Sequence, residues 1–283
     1  MNSITCRQAL AAAHASGLER LDAQLLLLQA LGKPASARSW LRAHDTDELA
    51  PGVVDAFHAL RLRRAAGEPL AYIVGRKEFF GLALQVDARV LVPRPDTETL
   101  VEWSLDLLKS LGVPPVLQVL DLGTGSGAIA LAIAHNLKAA GSGVGVTAVD
   151  ASTAALNVAR ENARRLGLGV NFVESNWLAQ VSERFHLIAS NPPYIASADP
   201  HLAALVHEPL QALAAGADGL DDIQKIIEQA PGCLMTGGWL LLEHGYDQAE
   251  RVRELLVSQG FAQVQSRLDL GGIERCSGGQ WTR

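Results

Sequence analysis

The sequence predicts an α/β protein carrying a small all-helical domain at its N-terminus, and three observations support this. From Val116 onward, apolar runs of strand length alternate with amphipathic stretches of helix length, the pattern of a mostly parallel sheet with right-handed crossovers. Residues 1–73 are rich in Ala and Leu at helical spacing. Between them, residues 74–93 switch to two-residue alternation, which reads as a β-hairpin linker. At 283 residues, the chain is long enough for one sizeable core plus a small second domain.

Each element follows from local pattern. Leu18, Leu21, Leu25 and Leu28 recur at three and four residues and predict one apolar stripe on a helix stopped by Gly32 and Pro34. A second helix is expected from Val53 to Ala66, ended by Gly67 and Pro69. Leu82, Leu84 and Val86 alternate with other residues, and Val90-Leu91-Val92 follows the polar turn Asp87-Ala88-Arg89. Pro93-Arg94-Pro95-Asp96-Thr97-Glu98 then opens a helix to about Leu111, with Asp96 or Thr97 as its N-cap. Strands are expected at Val116–Leu122, Val144–Val149, Val170–Val173, Phe185–Ser190 and Trp239–Glu243. Helices are expected at Ala128–Lys138, from the Ser152 cap to just before Gly167, near Asp221–Met235 and at Asp247–Ser258. Phe261–Val264 and a last segment through Trp281 close the sheet as an antiparallel pair.

Composition excludes several classes. A net charge of −6 lacks the basic footprint of sequence-independent nucleic-acid binding. The charge is uneven: up to Gly75 there are 8 Lys+Arg against 7 Asp+Glu, and beyond it 16 against 23, so the mild positive bias lies in the helical part. Cys6, Cys233 and Cys276 are odd in number and far apart, so they read as free thiols in a reducing compartment. The eight histidines show no metal-ligand spacing, and no metal is expected. His186 and His244 read as satisfied structural residues. Arg7 before Ala9–Ala15 imitates a signal peptide, but Gln8 and His14 interrupt it and its apolar core is too short. No uninterrupted apolar run reaches the roughly 18 residues of a membrane span.

Two stretches carry chemistry. Gly123-Thr124-Gly125-Ser126-Gly127, after Asp121-Leu122, lies at the turn from first strand to first helix. Glycines there permit unusual backbone angles and close approach of a ligand to a helix N-terminus. The spacing also fits the looser dinucleotide fingerprint, so the loop alone leaves NAD and S-adenosylmethionine (AdoMet) both open. Asp150, ending the second strand, is a candidate acceptor for ribose hydroxyls, or else a helix cap before Ala151.

The second stretch is Asn191-Pro192-Pro193-Tyr194, where an apolar strand emerges and two prolines stop it. The side-chain amide of Asn191 and the proline carbonyls offer acceptors to a planar –NH2 group, and Tyr194 offers a flat face. Such a socket orients a nitrogen nucleophile, whereas no group suited to a dehydrogenase is obvious nearby. That favours a methyltransferase over a dehydrogenase.

At this point the chain resembles the release-factor glutamine methyltransferases (the PrmC or HemK group) over nearly its whole length. The resemblance rests on Asp22-Ala23, Gly67-Glu68-Pro69-Leu70-Ala71-Tyr72-Ile73, Glu78-Phe79-Phe80-Gly81 and the Pro93–Glu98 block. It continues through the glycine loop with Ala128-Ile129-Ala130, Asn191–Ile195, Glu208-Pro209 and Leu242-Glu243-His244-Gly245. It implies a Rossmann-like AdoMet-dependent methyltransferase domain over 94–283. It also implies a cytoplasmic enzyme that methylates the glutamine amide in the Gly-Gly-Gln loop of peptide chain release factors. By that resemblance Gly123, Thr124, Gly125, Ser126, Gly127, Asp150, Trp177 and Asn191 contact AdoMet. Asn191, Pro192, Pro193 and Tyr194 form the catalytic socket and hold the substrate glutamine. On position alone, Trp177 reads as a core aromatic. Residues 1–73, with no catalytic constellation of their own, are expected to dock on the release factor.

Two features depart from the family pattern or compete with it. Asn176 stands where the family commonly has an acidic residue, and Ser277-Gly278-Gly279-Gln280-Trp281 imitates the substrate tripeptide, which we read as chance within a last strand. Glu208 reads equally as a functional carboxylate and as a surface loop residue. The competing functions are a DNA adenine-amino methyltransferase using the same socket on a flipped base, and a non-catalytic AdoMet- or nucleotide-binding module.

Overall fold

A computed structural model describes residues 4–110, 117–139 and 143–283. The expected strand start at Val116 and helix end at Leu111 lie outside the described residues. The chain divides into two compact units, Met1–Arg76 and Lys77–Arg283.

The first unit is helical. Helix α1 (Cys6–Ala15) opens on a capping box: Gln8 N–H donates to Thr5 Oγ1, and Thr5 N–H donates to Gln8 Oε1. Helices α2 (Arg20–Ala30), α3 (Arg38–Ala43), α4 (Pro51–Ala65) and α5 (Leu70–Val74) follow. The expected stripe on α2 is rotated. Leu21 is 48% exposed, whereas Ala23, Leu26, Leu27 and Leu28 are buried with Cys6, Leu41, Phe57 and Ile73. Four consecutive leucines, 25–28, let the sequence fit more than one helical face. The Arg64 guanidinium donates to Asp22 at 2.7 Å, tying α4 to α2.

The second unit begins with the hairpin β1 (Arg76–Phe79) and β2 (Leu82–Gln85). Its turn is Phe80-Gly81, both at positive φ (49° and 78°), the two-residue geometry that matches strand twist. The expected turn at 87–89 forms, closed by Val90 N–H on the Asp87 carbonyl at 3.1 Å and by Arg89 N–H on the Asp87 side chain, but it joins no hairpin, because Val90–Val92 lies outside the strands. The hairpin is more than a linker, because Phe79, Leu82 and Leu84 enter the core with Leu100 and Trp103. Asn162 also grips Gln85 through both its backbone N–H and its carbonyl.

Helix α6 (Glu98–Ser110) is entered through a 3-10 turn, Pro95–Thr97, and no side-chain cap from Asp96 or Thr97 is formed. The Thr97 side chain is committed elsewhere, as described below. The elements β3 (Leu117–Leu122), α7 (Ala128–Ala139), β4 (Val144–Asp150), α8 (Thr153–Leu166), β5 (Asn171–Glu174) and β6 (Phe185–Ser190) then alternate. They are followed by α9 (Asp221–Cys233), β7 (Leu234–Glu243), α10 (Ala249–Gln259), β8 (Ala262–Leu268) and β9 (Glu274–Gln280). Ser152 caps α8 by accepting from Ala155 N–H, and Gly167 ends it at φ 63°.

The seven-stranded sheet runs β5-β4-β3-β6-β7-β9-β8, parallel through β7, with β9 antiparallel to both β7 and β8. Strand β7 starts at Leu234, earlier than expected, and runs through Gly237-Gly238. A Cβ on Gly238 would lie 2.9 Å from one carbonyl oxygen and 3.0 Å from another, so the glycine serves an irregular strand pairing. Alternate residues serve opposite faces. Val119, Leu187 and Leu241 pack toward α6 and α7, while Leu120, Ile188 and Leu240 pack toward α9 and α10. Both faces being covered explains the nearly unbroken apolar runs of β3 and β6.

Strand order reverses between β3 and β6: the chain leaves β3 toward β4 and β5, then returns on the other side. The carboxyl ends of two such strands open a crevice that helices do not cover. Leu122 pairs with Ser190 and Ser190 with Leu242, which brings Gly123, Asn191 and Glu243 to one edge of that crevice.

Candidate active site

A cleft of about 440 Å³ opens at that point. Gly123, Gly125, Asp150, Trp177, Asn191 and Pro193 stand on its walls. The other predicted residues, Thr124, Ser126, Gly127, Pro192 and Tyr194, adjoin them in the chain.

On the β3 side the chemistry is mostly backbone. Gly123, Gly125 and Gly127 have φ of 70°, 54° and 85°, angles costly for any residue with a Cβ. A Cβ on Gly127 would meet Leu131 at 2.9 Å and Ala159 at 3.3 Å, so this glycine serves the packing of α7 against α8. Gly125 N–H points to Asp150 Oδ2 at 2.9 Å, and Ser152 N–H to Asp150 Oδ1 at 2.9 Å. Asp150 is therefore not the cap of α8, which Ser152 supplies; it pins the glycine loop while remaining on the cleft wall. Burial pushes its carboxyl above the ordinary range, against the pull of these N–H groups.

Asp121 is fully buried beneath the loop. Its Oδ2 accepts from Thr124 Oγ1 (2.6 Å) and Ala130 N–H (3.1 Å), and its Oδ1 has no partner among the described residues. Desolvation raises its pKa to about 7. Thr124 thus braces the loop from below, and Ser126 does so through its carbonyl, which accepts from Asn162.

Trp177 sits at φ 50°, in the left-handed region, and its indole N–H donates to Asp222 at 3.2 Å. Its ring lies 3.3 Å from where a Cβ on Gly123 would be. It belongs to the cleft wall as well as to the core. Asn176 is exposed beside it on the wall.

On the β6 side the chemistry is a side-chain network. Asn191 Nδ2 donates to Thr97 Oγ1 at 3.1 Å. The Tyr194 hydroxyl donates to Glu243 Oε1 at 3.4 Å, and Glu243 Oε2 has no partner among the described residues. Thr97 is 4% exposed and Glu243 1%. Burial raises the Glu243 pKa to about 7 and pushes the Tyr194 phenol far up. Pro192 and Pro193 are buried, and Gln248 holds the Tyr194 carbonyl at 3.0 Å.

Two wall segments escaped the sequence reading. Arg89–Leu91 and Pro209–Ala212 face the cleft and are clasped together by Glu208, which accepts from Val92 N–H (3.0 Å) and from Arg94. With its side chain 3% exposed, Glu208 is a buried clasp rather than a surface carboxylate. The Ser277–Gln280 stretch lies inside β9 between two strands, where a Cβ on Gly278 would come 2.6 Å from the Leu240 carbonyl. Close packing accounts for those glycines. His186 Nδ1 accepts from Gln118 N–H, and His244 bonds Ser277, so both rings are satisfied within the fold.

Comparisons with known proteins identify the family of the chain. A family model described as "Methyltransferase small domain" matches residues 104–265, and one described as "PrmC N-terminal domain" matches residues 5–75. A release factor glutamine methyltransferase of Bordetella pertussis is 48% identical over 267 residues, covering 93% of this chain and 95% of that protein. The chain belongs to the release factor glutamine methyltransferase family. A second member, from Pseudomonas aeruginosa, is 47% identical over 93% of this chain and 92% of its own length. Beyond the family, a methyltransferase of Pyrococcus furiosus shares the fold (TM-score 0.53, 19% identity, 80% of this chain and 98% of that one).

Membership in this glutamine methyltransferase family gives the missed residues a context. Thr97 lies in the Pro93–Glu98 block and Glu243 in Leu242–Gly245, two motifs that carried the resemblance with no role in the site attached. Asp222, at the start of α9, had no signal in the sequence; it reaches the cleft through Trp177 and also pairs with Lys225.

Proposed function

We propose that this chain methylates the side-chain amide nitrogen of the glutamine in the Gly-Gly-Gln loop of peptide chain release factors, with AdoMet as donor and S-adenosylhomocysteine as product. The observation that carries the reading is the amide of Asn191. With Nδ2 committed to Thr97, its Oδ1 is left as the acceptor for the cleft. An amide –NH2 is a poor nucleophile because its lone pair is delocalised into the carbonyl. Placing its two hydrogens on Asn191 Oδ1 and the Pro192 carbonyl orients the nitrogen and favours the form in which that lone pair localises. No strong base is required, because the nitrogen becomes acidic once alkylated.

The cleft suits AdoMet. Gly123 and Gly125 present bare backbone, Asp150 presents a carboxylate for ribose hydroxyls, and Val149, Ala155 and Trp177 supply apolar and aromatic wall. When bound, AdoMet supplies an electrophilic methyl group; the residues of this chain bind it, exclude water and orient the amide. Asn176 offers an amide oxygen where a carboxylate would be the stronger acceptor.

A cytoplasmic location goes with this reading. All three cysteines are free and buried, and among the described residues no helix is long and apolar enough to cross a membrane. The N-terminal unit serves, in this proposal, to dock on the body of the release factor. Removing residues 1–76 should raise KM for whole release factor far more than for a Gly-Gly-Gln peptide, provided the remainder folds. Equal losses for both substrates would reject the docking role.

The deciding experiment is transfer of labelled methyl from AdoMet to purified release factor, beside a factor whose loop glutamine is replaced by alanine. Label on the first alone is expected. Label on neither, or equally on both, would contradict the proposal.

A further inference from the structure

We propose that the tip of the β8–β9 hairpin, residues 269–273, is a docking element for the body of the release factor, set beside the mouth of the cleft. The inference rests on the reading of release factors as the substrate and adds a contact beyond the catalytic socket. Tyr246, Leu268, Leu270 and Ile273 are large apolar side chains left exposed at this place; Leu270 is fully exposed, Tyr246 69% and Leu268 58%. Single exposed apolar residues are ordinary on a protein surface, but a group of them at one edge marks a contact site.

The turn itself does not need them. Asp269 closes it: its N–H donates to the Ile273 carbonyl at 2.8 Å, its carbonyl accepts from Gly272 N–H at 3.0 Å, and its carboxylate accepts from Ile273 N–H at 2.9 Å. Gly272 supplies the positive φ, 79°. Arg275 fixes the base of the tip, donating through Nε to Asp269 at 3.3 Å and lying through Nη2 3.5 Å from Asp96, the neighbour of Thr97. Polar groups thus hold the tip in shape while its apolar side chains face solvent, which lowers the ordering cost for a partner that covers them.

Sheet register puts the tip where a protein substrate has to pass. Ser190 pairs with Leu242 and Glu243 with Cys276, so Asn191, Glu243 and Cys276 stand level at the carboxyl edge of the parallel strands. Strand β9 begins at Glu274, before Cys276, so the tip starts roughly 7 Å beyond that level at about 3.3 Å per residue. Across the sheet, β7 and then β9 and β8 follow β6, which places β9 roughly 10 Å and β8 roughly 15 Å from it at the usual strand spacing. Both lie on the side of β6 away from the glycine loop, so the tip borders the acceptor half of the cleft rather than the AdoMet half. A compact domain of about 100 residues has a radius of gyration of about 13 Å. A body of that size lowering a loop onto Asn191 spreads over the tip and buries its leucines.

The test uses full-length enzyme, AdoMet and two acceptors, whole release factor and a short Gly-Gly-Gln peptide. KM, kcat and the thermal midpoint are measured for Leu270→Ser and for Leu268→Ser combined with Leu270→Ser. Because these side chains are exposed, both variants should keep the wild-type thermal midpoint. KM for whole release factor should rise roughly 10-fold or more, the equivalent of one buried leucine side chain, with kcat little changed. KM and kcat for the peptide and the AdoMet dissociation constant should stay at their wild-type values. An unchanged KM for whole release factor in the double variant would overturn the docking role and leave methyl transfer to release factor standing. An equal rise for the peptide would overturn it too, since the tip would then act on the cleft itself. A second copy of this chain is the competing occupant: a wild-type dimer in light scattering that the double variant dissociates, with KM for release factor unchanged, would assign the tip to self-association and overturn the proposal. Methyl transfer to neither acceptor by the wild type would overturn the proposed function, and the docking tip with it.

Discussion

The two sides of the cleft solve the same problem with different materials. On the β3 side, Gly123, Gly125 and Gly127 remove side chains, and what faces the cleft is backbone braced by Asp121 and Asp150. On the β6 side, Asn191 faces the cleft and its amide is held by a distant side chain, Thr97, while Tyr194 donates to Glu243. Backbone suits the first side because a bound ligand there needs close approach and fixed N–H groups. Side chains suit the second because orienting a planar –NH2 needs an acceptor whose direction is enforced. Under the proposed function the difference is a division of labour: one side governs binding, the other chemistry.

Breaking the β6 side should have the largest effect. Asn191→Ala should reduce single-turnover methyl transfer roughly 100- to 1000-fold, the usual loss for one oriented polar group in the transition state. AdoMet affinity by calorimetry should stay near the wild-type value. On the β3 side, Asp150→Ala removes both a wall carboxylate and the tether of Gly125, at about 1.5–3 kcal/mol for a charge-assisted bond. It should weaken AdoMet binding roughly 10- to 100-fold and leave turnover at saturation nearly intact.

Smaller effects sharpen the contrast. Glu208→Gln keeps an acceptor for Val92 and loses the charge opposite Arg94, so a denaturant midpoint should report about 1 kcal/mol of lost stability. Asp121→Asn concerns pH. The folded chain holds the Asp121 pKa at about 7, above its unfolded value, so its proton is retained on folding and lost on unfolding between those limits. That contribution favours the folded state at low pH and fades as pH rises toward 7. Thermal midpoints measured from pH 5 to 8 should fall less steeply in Asp121→Asn than in the wild type; parallel curves would contradict the buried-acid assignment.

How much of this was legible depended on distance along the chain. Strand β6 falls at Phe185–Ser190 as its apolar run and terminating prolines require, and α8 runs between its Ser152 cap and Gly167. Those signals are local. The hairpin turn was misplaced because Phe80, a bulky residue, takes a positive φ that its side chain does not advertise. The face of α2 was misread because a run of leucines fits several registers. In the site, the glycine loop was visible as a pattern, and Asn191 as a chemical oddity after a strand. The Thr97–Asn191 bond spans 94 residues and the Tyr194–Glu243 bond 49, and only the sheet register joins them. Thr97 looked like a cap because Ser and Thr before a helix usually are; tertiary demand took its hydroxyl instead.

The central claim is the separation of binding from chemistry across one cleft, and a crossed measurement tests it. AdoMet dissociation constants and single-turnover rates at saturating AdoMet are measured together for Asn191→Ala and Asp150→Ala, with release factor as acceptor. The account predicts that Asn191→Ala loses rate at unchanged affinity, and that Asp150→Ala loses affinity while recovering its rate at saturation. Proportionate loss of both quantities in both variants would contradict it.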